Sequence, residues 1–447
     1  AMEQSKMYPI PEGLSPTSNN KSSSYIPVRN KGNDFAWDII TGLVLSHALR
    51  KQIKQYEFEQ FRSDCKSLLQ SKLIDFPSFW DVINRVYFTT ESICKISPLF
   101  LLFKVQRKGE SKASLGAANV RMSDLFSNLM GGLVLKDELV EKHNFIEHEI
   151  LTIFSSKLED FHAADSLDQA YLPYLSDAFQ TDLSFLAIRP QYLLQELTNL
   201  LKLYAFAYCS QLSLNIKDWK NKKAVSKPLY FILDTEKASS ERTQLQRYGY
   251  RLLADTFVQV FPILSALENL QQGEHKRPLW QVYQDVIACS EQDKLLTDIN
   301  AYLKKFIEDR IGATRLEQHQ EATSTSEAFE QMMDLAIEQF QVETSTRDEI
   351  NGKYAKALKE LCSDFIQSRG RSGRVLVLNQ DQLMLLTNIS IGNKDKLLMN
   401  DLMREFERRG FYLDKQSQQA LVDFYERMGN VARMSDSGDA VYVRKTV

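Results

Sequence analysis

Apolar residues recur at every third or fourth position through most of this chain. Trp37, Ile40 and Val44 follow this spacing, which places them on one face of an α-helix. Similar runs continue as far as residue 368. The pattern therefore predicts a mainly α fold, with a large helical body over residues 34–368.

Two apolar runs in this body carry more specific information. Residues 190–214 are strongly apolar but include Lys202, which indicates a buried helix of a large bundle rather than a membrane span. Residues 229–233 could form a buried strand or the start of a helix, because a short apolar run does not distinguish the two. Polar loops near residues 216–228 and 316–326 are candidate subdivisions of the body.

An extended N-terminal arm is predicted over residues 1–33. Four prolines stand here among serines and asparagines, without helical periodicity, and proline interrupts both helices and sheets. Arg29 and Lys31 give the arm a slight positive character. A strap packed over the helical body is the favoured interpretation.

The helical pattern stops at residues 369–374, which read RGRSGR. We therefore predict a domain boundary at residue 369. The apolar residues 375–378 that follow have the length and composition of a short buried strand. Beyond this strand the chain consists of short segments with clear end signals.

Three short helices are predicted after the strand. Asparagine and aspartate are good N-caps, and glycine closes a helix at positive φ. We place the helices at residues 379–391, with Asn379 or Asp381 as cap and Gly392 as end, at about residues 395–409, and from Asp414 to Gly429.

A β-hairpin is predicted at the end of the chain. Residues 431–434 and 440–443 can form two strands around a glycine-bearing loop, residues 435–439. A strand, three helices and a hairpin are the order of a winged helix-turn-helix module, here residues 369–447. In such a module one helix fits the DNA major groove, and the wing contacts the neighbouring phosphates.

The module contains ten candidate residues for contact with double-stranded DNA. Side chains in the first turns of the third helix can reach base edges, and arginine or lysine on the flanks can bind phosphates. The base-contacting candidates are Lys415, Gln416 and Gln419, and the phosphate-contacting candidates are Arg369, Arg371, Arg374, Arg427, Arg433, Arg444 and Lys445.

Two acidic residues favour a different interpretation. Asp423 and Glu426 also point outward on the predicted third helix, where they would repel phosphates. Many winged helices dock on proteins, and a fold does not determine a function. Direct contact with DNA and a protein-only scaffold therefore both remain open.

The charge distribution permits contact with DNA without establishing it. The whole chain has a net charge of -3. Residues 369–447 contain 13 Lys and Arg against 10 Asp and Glu, whereas residues 1–368 contain 42 against 48. The net charge is thus +3 at the end of the chain and -6 over the remainder, an offset too small to identify a partner by itself.

The sequence predicts no catalytic, metal or cofactor site. A phosphate-binding G-x-x-x-x-G-K-[ST] loop is absent from it, and His143 and His148 are spaced too far apart to converge on one metal from a helix. Residues 218–220 and 234–237 have the carboxylates and lysine of a metal-dependent nuclease, but such strings occur by chance. A nuclease is therefore the less favoured alternative to a non-catalytic chain.

The five cysteines indicate the compartment. They are isolated and odd in number and stand in apolar surroundings, which is typical of reduced thiols in the cytoplasm. The N-terminus lacks a positive segment followed by an apolar run, and no apolar stretch has the length of a membrane span. We expect a cytoplasmic protein with no membrane partner and no small-molecule substrate.

Four segments of the chain resemble the DptG family of phosphorothioate-dependent DNA restriction systems. They are residues 8–29, which include YPIPEGLSP and YIPVR, residues 97–104, SPLFLLFK, residues 247–250, RYGY, and residues 434–444, MSDSGDAVYVR. The similarity spans nearly the whole chain. It implies a role in antiphage defence, in which DptF, DptG and DptH together attack DNA that lacks the sulfur mark.

The resemblance also implies partners but no active site. DptF and DptH are the components associated with nucleotide hydrolysis and DNA translocation, which agrees with a chain that lacks a phosphate-binding loop. The implied role is a DNA-binding and scaffold subunit of the restriction complex. The family supplies no catalytic residue that could be assigned to a position of this sequence.

Overall fold

The computed structural model describes residues 22–106, 112–135, 139, 141–160, 162, 168–271, 275–310, 320–433 and 440–447. Within these residues the chain is mainly helical, so the predicted fold class is confirmed at that level. None of the described helices is both long enough and apolar enough to cross a membrane.

Thirteen of the described α-helices precede residue 366. They are α1 (Trp37–Leu49), α2 (Phe58–Lys72), α3 (Phe76–Tyr87), α4 (Ala117–Met130), α5 (Phe145–Ser156), α6 (Pro173–Ala187), α7 (Pro190–Asn215), α8 (Thr243–Arg247), α9 (Tyr250–Leu270), α10 (Leu279–Ile287), α11 (Gln292–Arg310), α12 (Thr325–Glu338) and α13 (Thr346–Leu361). Three more follow residue 379. They are α14 (Gln380–Ile391), α15 (Met399–Arg408) and α16 (Lys415–Met428).

Eight short strands are described, and they form three small sheets. The strands are β1 (Lys51–Gln52), β2 (Glu159–Asp160), β3 (Ile232–Leu233), β4 (Ile366–Ser368), β5 (Arg374–Leu378), β6 (Lys396–Leu398), β7 (Val431–Arg433) and β8 (Val441–Arg444). β1 pairs with β2; β3, β5 and β4 form the second sheet, with β3 parallel and β4 antiparallel to β5; β6, β8 and β7 form an antiparallel third sheet.

Helix α7 forms the centre of the larger core. From Leu200 to Ser213 every residue except Lys202 is buried, and α7 packs against helices that include α1, α6, α9 and α14. The ammonium of Lys202 lies over the ring of Trp37, with the nitrogen 5.9 Å from the ring centre. The buried helix predicted at residues 190–214 is therefore confirmed, and the charge of Lys202 lies at the edge of the core.

A second, smaller core lies near the N-terminus and is mainly aromatic. Phe61, Phe100 and Phe154 are buried there, with ring centres 4.4 Å apart for Phe100 and Phe154 and 5.8 Å for Phe61 and Phe154. Aromatic pairs at such distances add to the stabilisation that burial gives. α2, α3 and α5 surround this core, with α1 between it and the larger one.

The described part of the N-terminal arm, residues 22–33, lies against the helical body. Tyr25, Ile26 and Val28 are buried. The Tyr25 hydroxyl donates to the backbone carbonyl of Gln169 at 2.6 Å. The backbone carbonyl of Tyr25 accepts a hydrogen bond from the Tyr208 hydroxyl at 2.8 Å. Apolar burial and hydrogen bonds both hold this segment in place.

The larger core is continuous across the boundaries proposed from the sequence. Residues 216–228 contain no helix or strand, yet Ile216, Trp219 and Ala224 are buried in the same cluster as the flanking helices. In the other proposed subdivision, residues 316–319 lie outside the described residues, and Ala322 is buried in the same cluster. The boundary predicted at residue 369 falls inside the hairpin that joins β4 to β5.

The end of the chain contains the predicted helices and one strand that the pattern missed. We call residues 379–447, from the cap of α14 onward, the C-terminal unit. The strand that was not predicted is β6, which pairs with the terminal hairpin. The sequence predicted that a helix starts here, at about residue 395, whereas α15 begins at Met399. The strand β5, predicted as the lead strand of a separate module, pairs instead with β3 and β4 of the body.

Candidate nucleic-acid interface

Helix α16 presents an open polar face. Asp414 caps it by accepting a hydrogen bond from the Ser417 amide at 2.9 Å, and Gly429 ends it with a φ of +74°, both as predicted. Lys415, Gln416 and Gln419 are exposed. Local sequence signals therefore determine the ends of this helix, and its outer face is accessible to a partner.

The outer face of α16 is electrically mixed. Arg427 is exposed one turn beyond Asp423, and Glu426 is exposed beside it. The Gln419 amide donates to the Asp423 carboxylate at 3.1 Å, so this glutamine already has one internal partner. The N-terminal half of the face is polar with one cation, whereas the C-terminal half contains both signs of charge.

The inner face of α16 packs into the C-terminal unit. Leu421, Phe424 and Tyr425 are buried, and the hydroxyls of Tyr425 and Thr387 share a hydrogen bond of 2.5 Å. Burial raises the pKa of Tyr425. Met428, the last residue of the helix, is 44% exposed.

The first turn of α16 is anchored to the body through Arg242. This buried guanidinium donates to both carboxylate oxygens of Asp414, at 2.5 and 3.0 Å, and to the Ser417 hydroxyl at 2.7 Å. Glu236 pairs with Arg242 at 3.2 Å and accepts from Ser417. Burial opposes ionisation of Asp414, but hydrogen bonds from Arg242 and Ser417 outweigh it and lower the pKa of that carboxyl.

The three arginines of the RGRSGR segment lie in different surroundings. The Arg369 side chain donates to the Asp234 carbonyl at 3.0 Å and to Gln367 at 2.8 Å, so it holds the β4–β5 hairpin to the body. Arg371 and Arg374 are exposed, and Arg374 donates to the Tyr250 hydroxyl at 3.2 Å. Residues 370–372 form a short 3₁₀ turn, and Arg374 begins β5.

The remaining candidates lie around the terminal hairpin. Arg444 is exposed on β8, and the ammonium of the partly buried Lys445 donates to the carbonyl of Lys394. The side chain of Arg433 and the hairpin loop at residues 434–439 lie outside the described residues. Lys415, Gln416, Gln419 and Arg427 thus lie together on α16. The RGRSGR arginines lie apart from them, in the hairpin between β4 and β5.

Sequence reasoning missed a buried ion pair that joins the C-terminal unit to the body. Arg409, which is fully buried, donates to both carboxylate oxygens of Asp182 at 2.7 and 2.8 Å and to Glu405 at 2.8 Å. The Tyr204 hydroxyl also donates to Asp182. Burial opposes the charge on Arg409, but the Asp182 carboxylate outweighs it and raises the pKa of the guanidinium. No local pattern relates residues 227 positions apart.

The carboxylates considered for a nuclease are engaged in separate ion pairs. Asp218 pairs with Lys227, Lys220 with Glu330, and Asp234 with Arg369, while Glu236 contacts Arg242. Among the described residues no group of three or more His, Cys, Asp and Glu side chains is arranged to hold a metal ion. His143 contacts the carbonyl of Ile96 at 2.7 Å.

Comparison with protein-family models finds no model that matches this chain, and comparison with curated proteins finds no match.

Proposed function

We propose that this chain is a non-catalytic DNA-binding and scaffold subunit of a phosphorothioate-dependent restriction complex, and that its C-terminal unit is a winged helix. The open face of α16 is the observation that carries the proposal. Lys415, Gln416 and Gln419 are exposed at the start of a helix whose ends and inner face are fixed by packing. A DNA-recognition helix must be held rigidly and must expose its base-contacting side chains.

The order of elements in the C-terminal unit supports the same proposal. Helix α14, strand β6, helices α15 and α16, and the strands β7 and β8 follow one another, and the strands form one antiparallel sheet. Helix-turn-helix proteins place the second helix of the pair in the major groove. Here that helix is α16, and Arg444, a phosphate-contacting candidate, is exposed on β8.

In the proposed mechanism, α16 reads base edges while the flanking cations bind phosphates. Glutamine can form two hydrogen bonds with adenine, and lysine can donate to guanine, which suits Gln416 and Lys415. The Arg242–Asp414 contact would hold the first turn of α16 at a fixed angle to the body. The subunit would then tether DNA for DptF- and DptH-like partners, which the resemblance to the DptG family implies.

Charge reversal on the open face tests DNA binding. In the full chain, Lys415→Glu, Arg427→Glu and Arg444→Glu together should lower affinity for duplex DNA by at least about tenfold near 0.1 M salt and reduce the salt dependence by about 1 for each phosphate that is no longer bound. Fluorescence anisotropy at several salt concentrations measures both. Lys305→Glu, an exposed reversal on α11, is the matched control, and equal affinity of the two variants would contradict the proposal.

A second candidate function is a protein-only scaffold, which Asp423 and Glu426 favour. If their charges face a basic partner rather than DNA, Asp423→Lys with Glu426→Lys should weaken co-purification with DptF- and DptH-like subunits. The same change should leave the DNA affinity of the assembled complex unaltered. Under the DNA-binding proposal these two substitutions remove repulsion, so they should instead tighten binding to duplex DNA.

A further inference from the structure

A cavity of about 340 Å³ lies between the start of α9 and the β4–β5 hairpin. Residues 249–251 meet residues 372–374 of the RGRSGR segment there. The charged residues that line the cavity are Arg251 from α9, Lys359 from α13 and Arg374 from β5. No acidic residue is among the described side chains that line it.

The three cations have no carboxylate partner in the described part of the chain. Ion pairs account for many other charged side chains of this protein, including Lys353 and Lys356 on the same helix as Lys359. The Arg374 guanidinium donates to the Tyr250 hydroxyl at 3.2 Å and lies over the ring of the same tyrosine. Three like charges around one concavity repel one another, and a bound anion would remove that repulsion.

The backbone around the cavity adds to its positive potential. Gly249 precedes α9, whose first turn has no acidic residue and no side-chain cap, so the partial positive charge of the helix end is not neutralised. A Cβ at Gly249 would lie 2.2 Å from the Leu245 carbonyl oxygen. This close approach requires glycine and holds Tyr250 and Arg251 at the rim. Leu245 and Leu376 make the wall partly apolar, which strengthens the attraction between ions.

We propose that this cavity binds a phosphate group through Arg251, Lys359 and Arg374. A phosphate group accepts several charge-assisted hydrogen bonds at once, and arginine forks match its geometry. The cavity is at the small end of the range of about 300–1,000 Å³ found for ligand sites, so it accommodates the phosphate with part of an attached sugar. Either a DNA backbone phosphate or a free phosphate can supply this chemistry.

A row of tyrosines runs from Tyr248, next to the cavity residue Gly249, to the start of α16. The Tyr230 amide donates to the Tyr248 carbonyl at 2.8 Å, and the rings of Tyr230 and Tyr412 are 5.7 Å apart. Tyr412 lies two residues before Asp414, the cap of α16. We therefore assign the backbone phosphate of the DNA that α16 contacts as the favoured source. This link rests on the proposed function, whereas the phosphate site itself does not.

The first arm of the test uses inorganic phosphate and the full chain. Phosphate-31 NMR titration should show saturable binding, and Arg251→Gln with Lys359→Gln and Arg374→Gln should weaken it at least fivefold. Lys356→Gln, one turn from Lys359 and outside the cavity, should bind like the wild type. Because Arg251 is exposed, the single variant Arg251→Gln should fold normally and weaken binding about threefold even if the triple variant unfolds. Absence of saturable binding, or equal binding by Arg251→Gln, overturns the site.

The second arm uses duplex DNA and separates the two sources. If the backbone supplies the phosphate, the triple variant should bind DNA less tightly, and its salt dependence should fall by about 1 because one phosphate is no longer neutralised. If phosphate binding is abolished but DNA affinity is unchanged, the site stands and its ligand is a free phosphate. If the wild type binds phosphate but no DNA, the proposed function fails and the phosphate site is retained.

Discussion

The two surfaces of the C-terminal unit use arginine in opposite ways. On the inner surface, Arg409 is fully buried and makes hydrogen bonds to Asp182 and Glu405, and Arg242 reaches across from the body to Asp414. On the outer surface, Arg427 and Arg444 are exposed. Buried guanidinium groups need fixed partners to offset the loss of hydration, whereas exposed ones remain available to a polyanion. Arginine therefore stabilises the assembly on the inner surface and, in the proposed function, binds DNA on the outer surface.

The largest effect should come from removing the buried arginine. Arg409→Met leaves Asp182 charged and buried without its main partner, which costs about 3–5 kcal/mol when one member of a buried pair is removed. Urea unfolding followed by circular dichroism measures the change in the free energy of unfolding. Arg404→Met, on α15 just before Arg409 and with a side chain that is 79% exposed, should change it by less than about 0.5 kcal/mol. Similar values for both would remove the distinction between the surfaces.

A smaller, pH-dependent effect is expected for Arg242. Asp414 has a lowered pKa in the folded chain, so its contribution to stability is present above the unfolded pKa and is lost as the pH falls through the folded one. Arg242→Met should therefore destabilise the protein by about 2 kcal/mol near neutral pH, and the difference from the wild type should shrink below about pH 4. Urea unfolding from pH 7 to pH 3 measures it. A difference that is constant with pH would show that Asp414 is not the group concerned.

The smallest effect on stability should come from the outer surface. Lys415→Glu, Arg427→Glu and Arg444→Glu should each alter the free energy of unfolding by less than about 0.5 kcal/mol, because exposed charges contribute little to stability. Thermal unfolding of the single variants provides the measurement. A large destabilisation at any of the three positions would mean that its side chain supports the fold, and the effect of that substitution on DNA affinity could then not be attributed to a lost phosphate contact.

Local signals in the sequence predicted several elements of the structure well. Asn379 caps α14 with Gln382 in a reciprocal pair of hydrogen bonds, Gly392 ends that helix, and Asp414 and Gly429 delimit α16. Asn379 and Asp414 each accept a hydrogen bond from a free backbone N–H of the first turn, whereas the two glycines adopt the positive φ that ends a helix. Each signal acts within about four residues of its own position. The mainly helical fold and the buried α7 followed from apolar periodicity in the same way.

Features that depend on distant residues were not predictable. Strand β6 is a three-residue segment that becomes a strand because β8 lies beside it, and β5 joins the body because β3 offers a parallel edge. Arg369 looked like part of a basic cluster, yet the carbonyl of Asp234, 135 positions away, holds it. The cationic cavity combines α9, α13 and β5, and no spacing in the sequence relates them.

The sequence by itself determined where the helices of the C-terminal unit begin and end and which faces of them are apolar. These properties depend on backbone hydrogen bonds and side-chain patterns within a few turns. Only the tertiary structure decided which charged side chains form internal ion pairs, as Arg409 does, and which remain exposed, as Arg427 does. That division depends on which distant carboxylate the fold brings within hydrogen-bond distance.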